Sequence, residues 1–125
     1  MANNKILVID DEEAIRKTVR TALRDSGNEL LFAENGKEGL ELYNDHHPAL
    51  VILDIKMPVM DGIEFLKHLK LSLDVMNSII VLTAHGDLEE IGKCADLGVG
   101  AFLAKPFNFN ELNQMIINIV GGEPC

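Results

Sequence analysis

The sequence is poor in residues that mark several protein classes. It has two cysteines in 125 residues, no tryptophan and one tyrosine, so a disulfide scaffold is excluded and a reducing compartment is expected. Positive charge is also scarce, because 11 Lys and Arg face 20 Asp and Glu and give a net charge of −9. Since such a surface repels phosphate backbones and anionic lipids, we expect no direct binding to nucleic acid or membranes.

Long apolar runs are absent as well. No stretch approaches the roughly 18 apolar residues that a membrane helix needs. Only four apolar residues separate Lys5 from Asp10, too few for the core of a secretory signal. What remains is a globular composition, with 47% hydrophobic and 25% charged residues, which excludes a disordered chain. We therefore expect one soluble, cytoplasmic domain with its own core.

Five short apolar runs recur along the chain, with helical patterns between them. The runs are continuous rather than alternating, which is typical of strands covered on both faces of a parallel sheet. The predicted strands are Ile6–Ile9, Leu30–Ala33, Leu50–Leu53, Ile79–Leu82 and Ala101–Ala104. The second run is the weakest, which favours a place at the edge of the sheet.

The hydrophobic period becomes helical after each run. The predicted apolar faces are Ile15, Val19, Ala22 and Leu23; Leu40 and Tyr43; Ile63, Leu66 and Leu69; Leu88, Ile91, Cys94 and Ala95; and Leu112, Met115, Ile116 and Ile119. We expect Asp87 to cap the fourth helix and Asn108 the fifth, and Asp61-Gly62 to form a turn and helix start. This β-α alternation predicts an α/β fold with one doubly wound parallel sheet covered on both faces.

Charged and polar residues follow the carboxyl ends of four predicted strands. The first strand runs into Asp10-Asp11-Glu12-Glu13, the third into Asp54, the fourth into Thr83 and the fifth into Lys105. Ligands of doubly wound sheets bind beyond these strand ends. We therefore expect the carboxylates, the hydroxyl and the ammonium to converge at one edge of the sheet.

The acidic first loop discriminates between kinds of ligand. A nucleotide or flavin phosphate needs glycine and free amides there, so a flavin carrier is disfavoured. Crowded carboxylates need a counter-charge, and Mg²⁺ prefers one or two of them together with a phosphate oxygen. We predict a Mg²⁺ site at Asp10, Asp11 and Asp54 that a phosphoryl group completes, with Lys105 and Thr83 contacting phosphoryl oxygens.

Each of these residues also has an ordinary structural explanation. Acidic residues stabilise a helix N-terminus, which accounts for Glu12 and Glu13 but poorly for Asp10, because Asp10 directly follows an apolar run. Asp54 could cap a turn, and Thr83 could bond to its own loop. The combination at successive strand ends favours the functional interpretation.

The chain resembles the receiver domain of two-component response regulators. The resemblance runs from about residue 5 to residue 120 and rests on four motifs in order, Asp10-Asp11, Asp54 to Gly62, Thr83-Ala84 and Lys105-Pro106-Phe107. Each motif alone is weak, whereas the ordered set is specific. The resemblance implies a flavodoxin-like receiver fold with strand order 2-1-3-4-5 over residues 1–120. Residues 121–125 would then form a tail or the start of a linker.

The resemblance also implies roles for individual residues. Asp54 would accept a phosphoryl group from a phosphohistidine. Mg²⁺ would bind Asp11 and Asp54 directly, Asp10 mainly through water, and the backbone carbonyl of Lys56. Lys105 would pair with a phosphoryl oxygen, and its peptide bond to the following proline would be cis.

The resemblance also implies which residues transmit the signal after phosphorylation. Thr83 would move to bond the phosphoryl group, and Phe102 would turn inward, which would change the surface formed by the fourth helix, fifth strand and fifth helix. The implied partners are a sensor histidine kinase or histidine phosphotransfer protein, an effector domain or protein, and a second copy of the chain bound through that surface. The chain would be a signalling domain with self-directed phosphotransfer and autodephosphorylation, not an enzyme acting on a free substrate.

Two alternatives remain open. A Mg²⁺-dependent phosphatase with an aspartyl nucleophile carries a second Asp two residues later, where this chain has Lys56, and 125 residues leave no room for a cap domain. A degenerate receiver would bind partners without phosphorylation, but the acidic, hydroxyl and ammonium residues are all present. The basic residues Lys56 and His85 predict a phosphoryl hydrolysis rate unlike that set by a Glu/Asn pair.

Overall fold

The computed structural model describes residues 4–69, 75 and 78–120, so the predicted tail at 121–125 lies outside the described residues. Within them lies a parallel five-stranded sheet of order β2-β1-β3-β4-β5. Its strands are β1 (Lys5–Ile9), β2 (Glu29–Ala33), β3 (Leu50–Asp54), β4 (Ile79–Thr83) and β5 (Ala101–Ala104). The predicted fold class and strand order are therefore confirmed, and β2 lies at an edge as expected.

A helix follows each strand. The helices are α1 (Glu13–Leu23), α2 (Gly36–His46), α3 (Gly62–His68), α4 (Leu88–Asp96) and α5 (Phe109–Val120). α1 and α5 pack together beside one apolar cluster, and α2, α3 and α4 pack against the other. No helix in the described part of the chain is both long and apolar enough to span a membrane.

The continuous apolar strands are explained by burial on both faces of the sheet. Leu7 and Ile9 of β1 belong to the cluster under α2, α3 and α4. Ile6 and Val8, which alternate with them, belong to the cluster under α1 and α5. All four side chains are fully buried. Because successive side chains point to opposite faces, a strand covered on both sides needs apolar residues at consecutive positions.

The apolar face predicted for the fourth helix is wrong at two positions. Leu88 is 81% exposed and Ala95 is also exposed, whereas Cys94 is fully buried and Ile91 packs against the core. Cys94 is the buried residue of α4, so this helix packs through a narrow stripe. The helix has too few turns for its hydrophobic pattern to identify that stripe from the sequence.

One of the two predicted caps is confirmed, at Asn108, and so is the helix start predicted at Asp61-Gly62. The side chain of Asp61 accepts a hydrogen bond from the backbone N–H of Glu64, and that of Asn108 accepts one from Glu111. The cap predicted at Asp87 is wrong, because its side chain makes no hydrogen bond to the N-terminus of α4. Asp87 is engaged with the preceding loop instead.

Candidate acidic phosphoryl site

Three carboxylates meet at the carboxyl end of the central strands. Asp54 ends β3, and Asp10 follows β1, whose Ile9 is paired with Leu53 of β3. Asp10 is fully buried and Asp54 is 7% exposed. With Glu12 they offer carboxylate oxygens that all lie within 4.8 Å of one another. The parallel sheet therefore brings distant acidic residues into one group, as predicted for Asp10 and Asp54.

Lys105 lies against all three carboxylates. Its Nζ is 3.0 Å from Asp10 Oδ2, 2.9 Å from Glu12 Oε1 and 3.4 Å from Asp54 Oδ1. Burial alone lowers the pKa of Lys105, but its hydrogen bond to Glu12 and the charges of Asp10 and Asp54 raise that pKa above its ordinary value. Lys105 is thus a fixed cation that balances only part of the surrounding negative charge.

Burial and crowding disfavour the ionised aspartates. Burial raises the pKa of Asp54 to about 7, the charge of Asp10 adds to this rise, and Lys105 opposes it. Burial also raises the pKa of Asp10, although its Oδ1 accepts a hydrogen bond from the backbone N–H of Glu12 at 2.9 Å. When all three carboxylates are ionised, the group carries more negative charge than Lys105 alone can neutralise.

This donor set fits a hard divalent cation. Asp10, Glu12 and Asp54 offer only oxygen ligands, which Mg²⁺ prefers. Asp11, expected as a direct ligand, has an exposed side chain outside this group, whereas Glu12 lies inside it. Sequence reasoning explains Glu12 by the start of α1 alone, although Glu12 stands within the acidic run that marks the site. The metal contacts of Asp11 and of the Lys56 carbonyl stay predictions.

The residues expected to report phosphorylation lie on the next two strands. Thr83 ends β4 and is 6% exposed, and its carbonyl accepts a hydrogen bond from the backbone N–H of Lys105 at 2.8 Å. Phe102 on β5 is paired with Val81 and packs, partly buried, against the core. The Lys105-Pro106 bond is cis, as expected. Thr83 and Lys105 are thus joined at the same edge as the carboxylates.

The sequence does not predict the contacts of two further residues at this edge. Arg16 Nη1 donates to the carbonyl oxygen of Asp10 at 2.6 Å, which ties α1 to the acidic loop. Asp87 contacts both Lys56 and Ala84. None of these contacts has a periodic signal, because each depends on the path of a loop.

The acidic group lies beside Lys105 and Thr83 at the carboxyl ends of a sheet of order 2-1-3-4-5. The family model described as the response regulator receiver domain matches residues 6–117. The chain belongs to the response regulator receiver domain family. Receiver domains of this family take phosphate from histidine kinases and regulate effector domains.

Relatives of this receiver domain include short and long proteins. It is 37% identical over 116 residues to sporulation initiation phosphotransferase F of Bacillus subtilis (strain 168), covering 93% of each chain. It is also 37% identical over 115 residues to regulatory protein AtoC of Escherichia coli (strain K12), covering 92% of this chain and 25% of AtoC. The solved chemotaxis response regulator CheY4 of Vibrio cholerae has a TM-score of 0.83 at 30% identity, covering 94% of this chain and 99% of CheY4. The chain therefore spans nearly all of some relatives and a quarter of another.

Proposed function

We propose that this receiver domain accepts a phosphoryl group on Asp54 in a Mg²⁺-dependent reaction. The supporting observation is the setting of the Asp54 carboxylate, which lies at the end of β3, 3.4 Å from Lys105 Nζ and within the acidic group. A carboxylate nucleophile beside a fixed cation suits an incoming phosphoryl group. The modified domain would act as a signalling switch and not as an enzyme on a free substrate.

The chemistry requires positioning more than covalent assistance. An Asp54 oxygen attacks phosphorus, a P–O bond forms, and the P–N bond of a partner's phosphohistidine breaks as the imidazole takes up a proton. Lys105, oriented by Asp10 and Glu12, then pairs with a phosphoryl oxygen. Mg²⁺, when bound, neutralises the charge that accumulates between these carboxylates and the phosphoryl group.

The proposed metal site keeps the residue set expected from the family. Asp10, Asp11, Asp54 and the backbone carbonyl of Lys56 would hold the ion, with Asp10 acting mainly through water. Glu12 adds a carboxylate close enough to share the charge of the ion or of Lys105. Oxygen ligands of this kind support Mg²⁺ in preference to softer metals.

The proposed output is a change at the surface of α4, β5 and α5. Thr83 would bond the phosphoryl oxygen, and Phe102 would follow it inward. Such a change biases an equilibrium between two forms of the domain. The exposed Leu88 and Ala95 of α4 add apolar area to this surface, which supports partner binding or phosphorylation-dependent dimerisation there.

The proposed partners follow from this chemistry. A sensor histidine kinase or a histidine phosphotransfer protein would supply the phosphoryl group, and an effector domain or protein would read the output. The net charge of −9 disfavours direct contact with nucleic acid or an anionic membrane. We place the domain in the cytoplasm, with residues 1–120 as the receiver and residues 121–125 as a tail or linker start.

Intact mass after incubation with acetyl phosphate tests this function. We expect one added phosphoryl group, dependent on Mg²⁺ and absent from Asp54→Asn. Asp61→Asn is the matched control, because Asn can still cap α3 and the same charge is removed. Phosphoryl incorporation in Asp54→Asn would contradict the assigned residue. Repeated turnover of p-nitrophenyl phosphate would favour the phosphatase alternative.

A further inference from the structure

Asp87 is a buried carboxylate that the chemistry above does not use. It is 4% exposed, precedes α4 and makes no cap hydrogen bond to that helix. Its Oδ2 accepts a hydrogen bond from the backbone N–H of Ala84 at 2.7 Å. Its Oδ1 lies 3.1 Å from Lys56 Nζ. One side chain therefore joins the loop after β3 to the loop after β4.

The two contacts reach different oxygens of the same carboxylate. The backbone N–H of Ala84 donates to Oδ2, and Lys56, whose side chain is 64% exposed, forms an ion pair with Oδ1. A buried carboxylate that lost these donors would be left without compensation. Asp87 therefore contacts both donors in the form of the domain that carries no phosphoryl group.

The two donors adjoin the residues that carry the proposed phosphorylation chemistry. Lys56 follows Asp54 by two residues, and Ala84 directly follows Thr83. Asp54 is paired with Leu82 of β4, so the two loops leave neighbouring strands at the same edge. A phosphoryl group on Asp54 would present several strong acceptor oxygens close to these donors.

We propose that Asp87 is a positioning residue that competes with the phosphoryl group for the ammonium of Lys56 and the backbone N–H of Ala84. By holding both donors, it favours the unmodified form of the domain and restrains the loop that follows Thr83. This inference rests on the proposed function of Asp54.

The competition predicts opposite effects on ligand affinity and on stability. Without the Asp87 charge, Lys56 is released and Ala84 keeps at most a weaker, neutral acceptor, so the equilibrium shifts toward the modified form. We expect Asp87→Asn to bind beryllofluoride, a stable phosphoryl mimic, at least about threefold more tightly than the parent. The same variant should unfold at lower urea concentration, because Lys56 loses its ion pair and the backbone N–H of Ala84 loses a charged acceptor. A purely structural role would weaken both properties.

NMR titration of the intact chain with beryllofluoride and Mg²⁺ measures the affinity. Glu89→Gln is the matched control, because it removes one negative charge from α4 at a side chain that is 78% exposed and pairs with Lys93. Its beryllofluoride affinity should equal that of the parent. A metal-free measurement supports the contact itself, since the Ala84 amide proton should shift and exchange faster in Asp87→Ala.

The ion pair can be separated from the backbone contact by a double-mutant cycle. If Lys56 mediates part of the effect, Asp87→Asn should increase affinity less in a Lys56→Gln background than in the parent. If Asp87→Asn does not fold, Asp87→Glu provides the test. Its longer side chain keeps the charge but misaligns the carboxylate with Ala84, so a smaller increase is expected.

The outcomes separate this inference from the function on which it rests. Unchanged or weaker beryllofluoride binding in the folded Asp87 variants, with a parent that binds, would overturn the role of Asp87 alone. A parent that neither binds beryllofluoride nor accepts phosphate would contradict the proposed function, and the role of Asp87 would fall with it. An equal increase in beryllofluoride affinity in Asp87→Asn and Glu89→Gln would indicate a general charge effect. That result would also overturn the role of Asp87.

Discussion

At the scale of single residues, the site concentrates negative charge that the folded chain only partly compensates. Asp10 is fully buried beside Asp54, and Lys105 is the cation that contacts both. The pKa of Asp54 is raised from 3.8 to about 7, first by burial and then by Asp10. An acid with a raised pKa is less stable when ionised in the folded state than in the unfolded state. The contribution of Asp54 to the free energy of unfolding is therefore lost as pH rises from about 4 toward 7, and it stays lost at higher pH.

Removing the charge of Asp54 should stabilise the metal-free domain. In EDTA at pH 8 we expect Asp54→Asn to raise the free energy of unfolding by roughly 1–4 kcal/mol, since a shift of one pKa unit corresponds to about 1.4 kcal/mol. Urea unfolding measures the difference. The gain should shrink as the pH falls below 7, where the parent carboxyl takes up its proton.

The same measurement has two internal controls. Asp61→Asn removes an equal charge at a half-exposed helix cap, so its unfolding midpoint should stay within experimental error of the parent. Mg²⁺ should stabilise the parent more than Asp54→Asn, because only the parent keeps that ligand. A less stable Asp54→Asn in EDTA would show that charge crowding does not dominate at this site.

Sequence predicts the location of residues at this scale better than their contacts. Asp10, Asp54 and Lys105 could be placed together because parallel strands end at one edge of the sheet. The partners of Glu12 and Asp87 could not be predicted, because the path of a loop decides where such side chains point. Both lie in short loops whose hydrogen bonds join residues that no sequence period relates.

At the scale of secondary structure, α3 begins in direct contact with the end of β3. A Cβ added at Gly62 would lie 2.4 Å from the carbonyl oxygen of Asp54 and 2.9 Å from the Cα of Ile55. The backbone N–H of Gly62 also donates to the carbonyl of Ile55 at 2.8 Å. The helix is therefore held against the strand that carries Asp54, the proposed phosphoryl acceptor, at a distance that only glycine allows.

Gly62→Ala should destabilise the domain and reduce phosphorylation of Asp54. Alanine favours helices by about 1 kcal/mol over glycine, but the clash here is with backbone atoms that cannot rotate away. We expect a net loss of about 2–4 kcal/mol in urea unfolding, typical of overpacking at a close contact. The rate of phosphorylation by acetyl phosphate should fall as well, because the end of β3 must shift.

Gly92→Ala gives the matched comparison for this prediction. Gly92 lies in the exposed part of α4, and a Cβ there would meet no atom within 4 Å. Its replacement should therefore stabilise the domain by up to about 1 kcal/mol through helix propensity alone. If both substitutions changed stability by the same amount and sign, the close contact at Gly62 would not be the cause.

The bounds of the strands are predicted from the sequence more accurately than the buried faces of the helices. All five strands could be predicted within one residue because continuous apolar runs in a sheet covered on both faces have sharp polar ends. α5 could be predicted together with its apolar face. The face of α4 could not, because that helix buries Cys94 in place of the more hydrophobic Leu88. Hydrophobicity alone does not decide burial in a helix that packs through a narrow stripe.

At the scale of the whole molecule, the sheet separates two apolar clusters, and Cys94 belongs to the cluster under α2, α3 and α4. Its thiol is fully buried, and burial raises its pKa to about 11. The thiolate is the form that reacts with disulfide reagents. Both access and ionisation therefore require this side of the molecule to open.

Thiol labelling should thus report opening of the folded domain. In a Cys125→Ser background, we expect Cys94 to react with Ellman's reagent at least about 10³-fold more slowly in buffer than in denaturing urea, since opening costs several kcal/mol. Leu88→Cys in a chain carrying Cys94→Ala and Cys125→Ser is the control. Position 88 lies in the same helix but is 81% exposed, so its thiol should react at nearly the same rate in buffer and in urea. Fast native labelling of Cys94 would mean that α4 detaches locally, and the core under α4 would then be far less stable than its burial indicates.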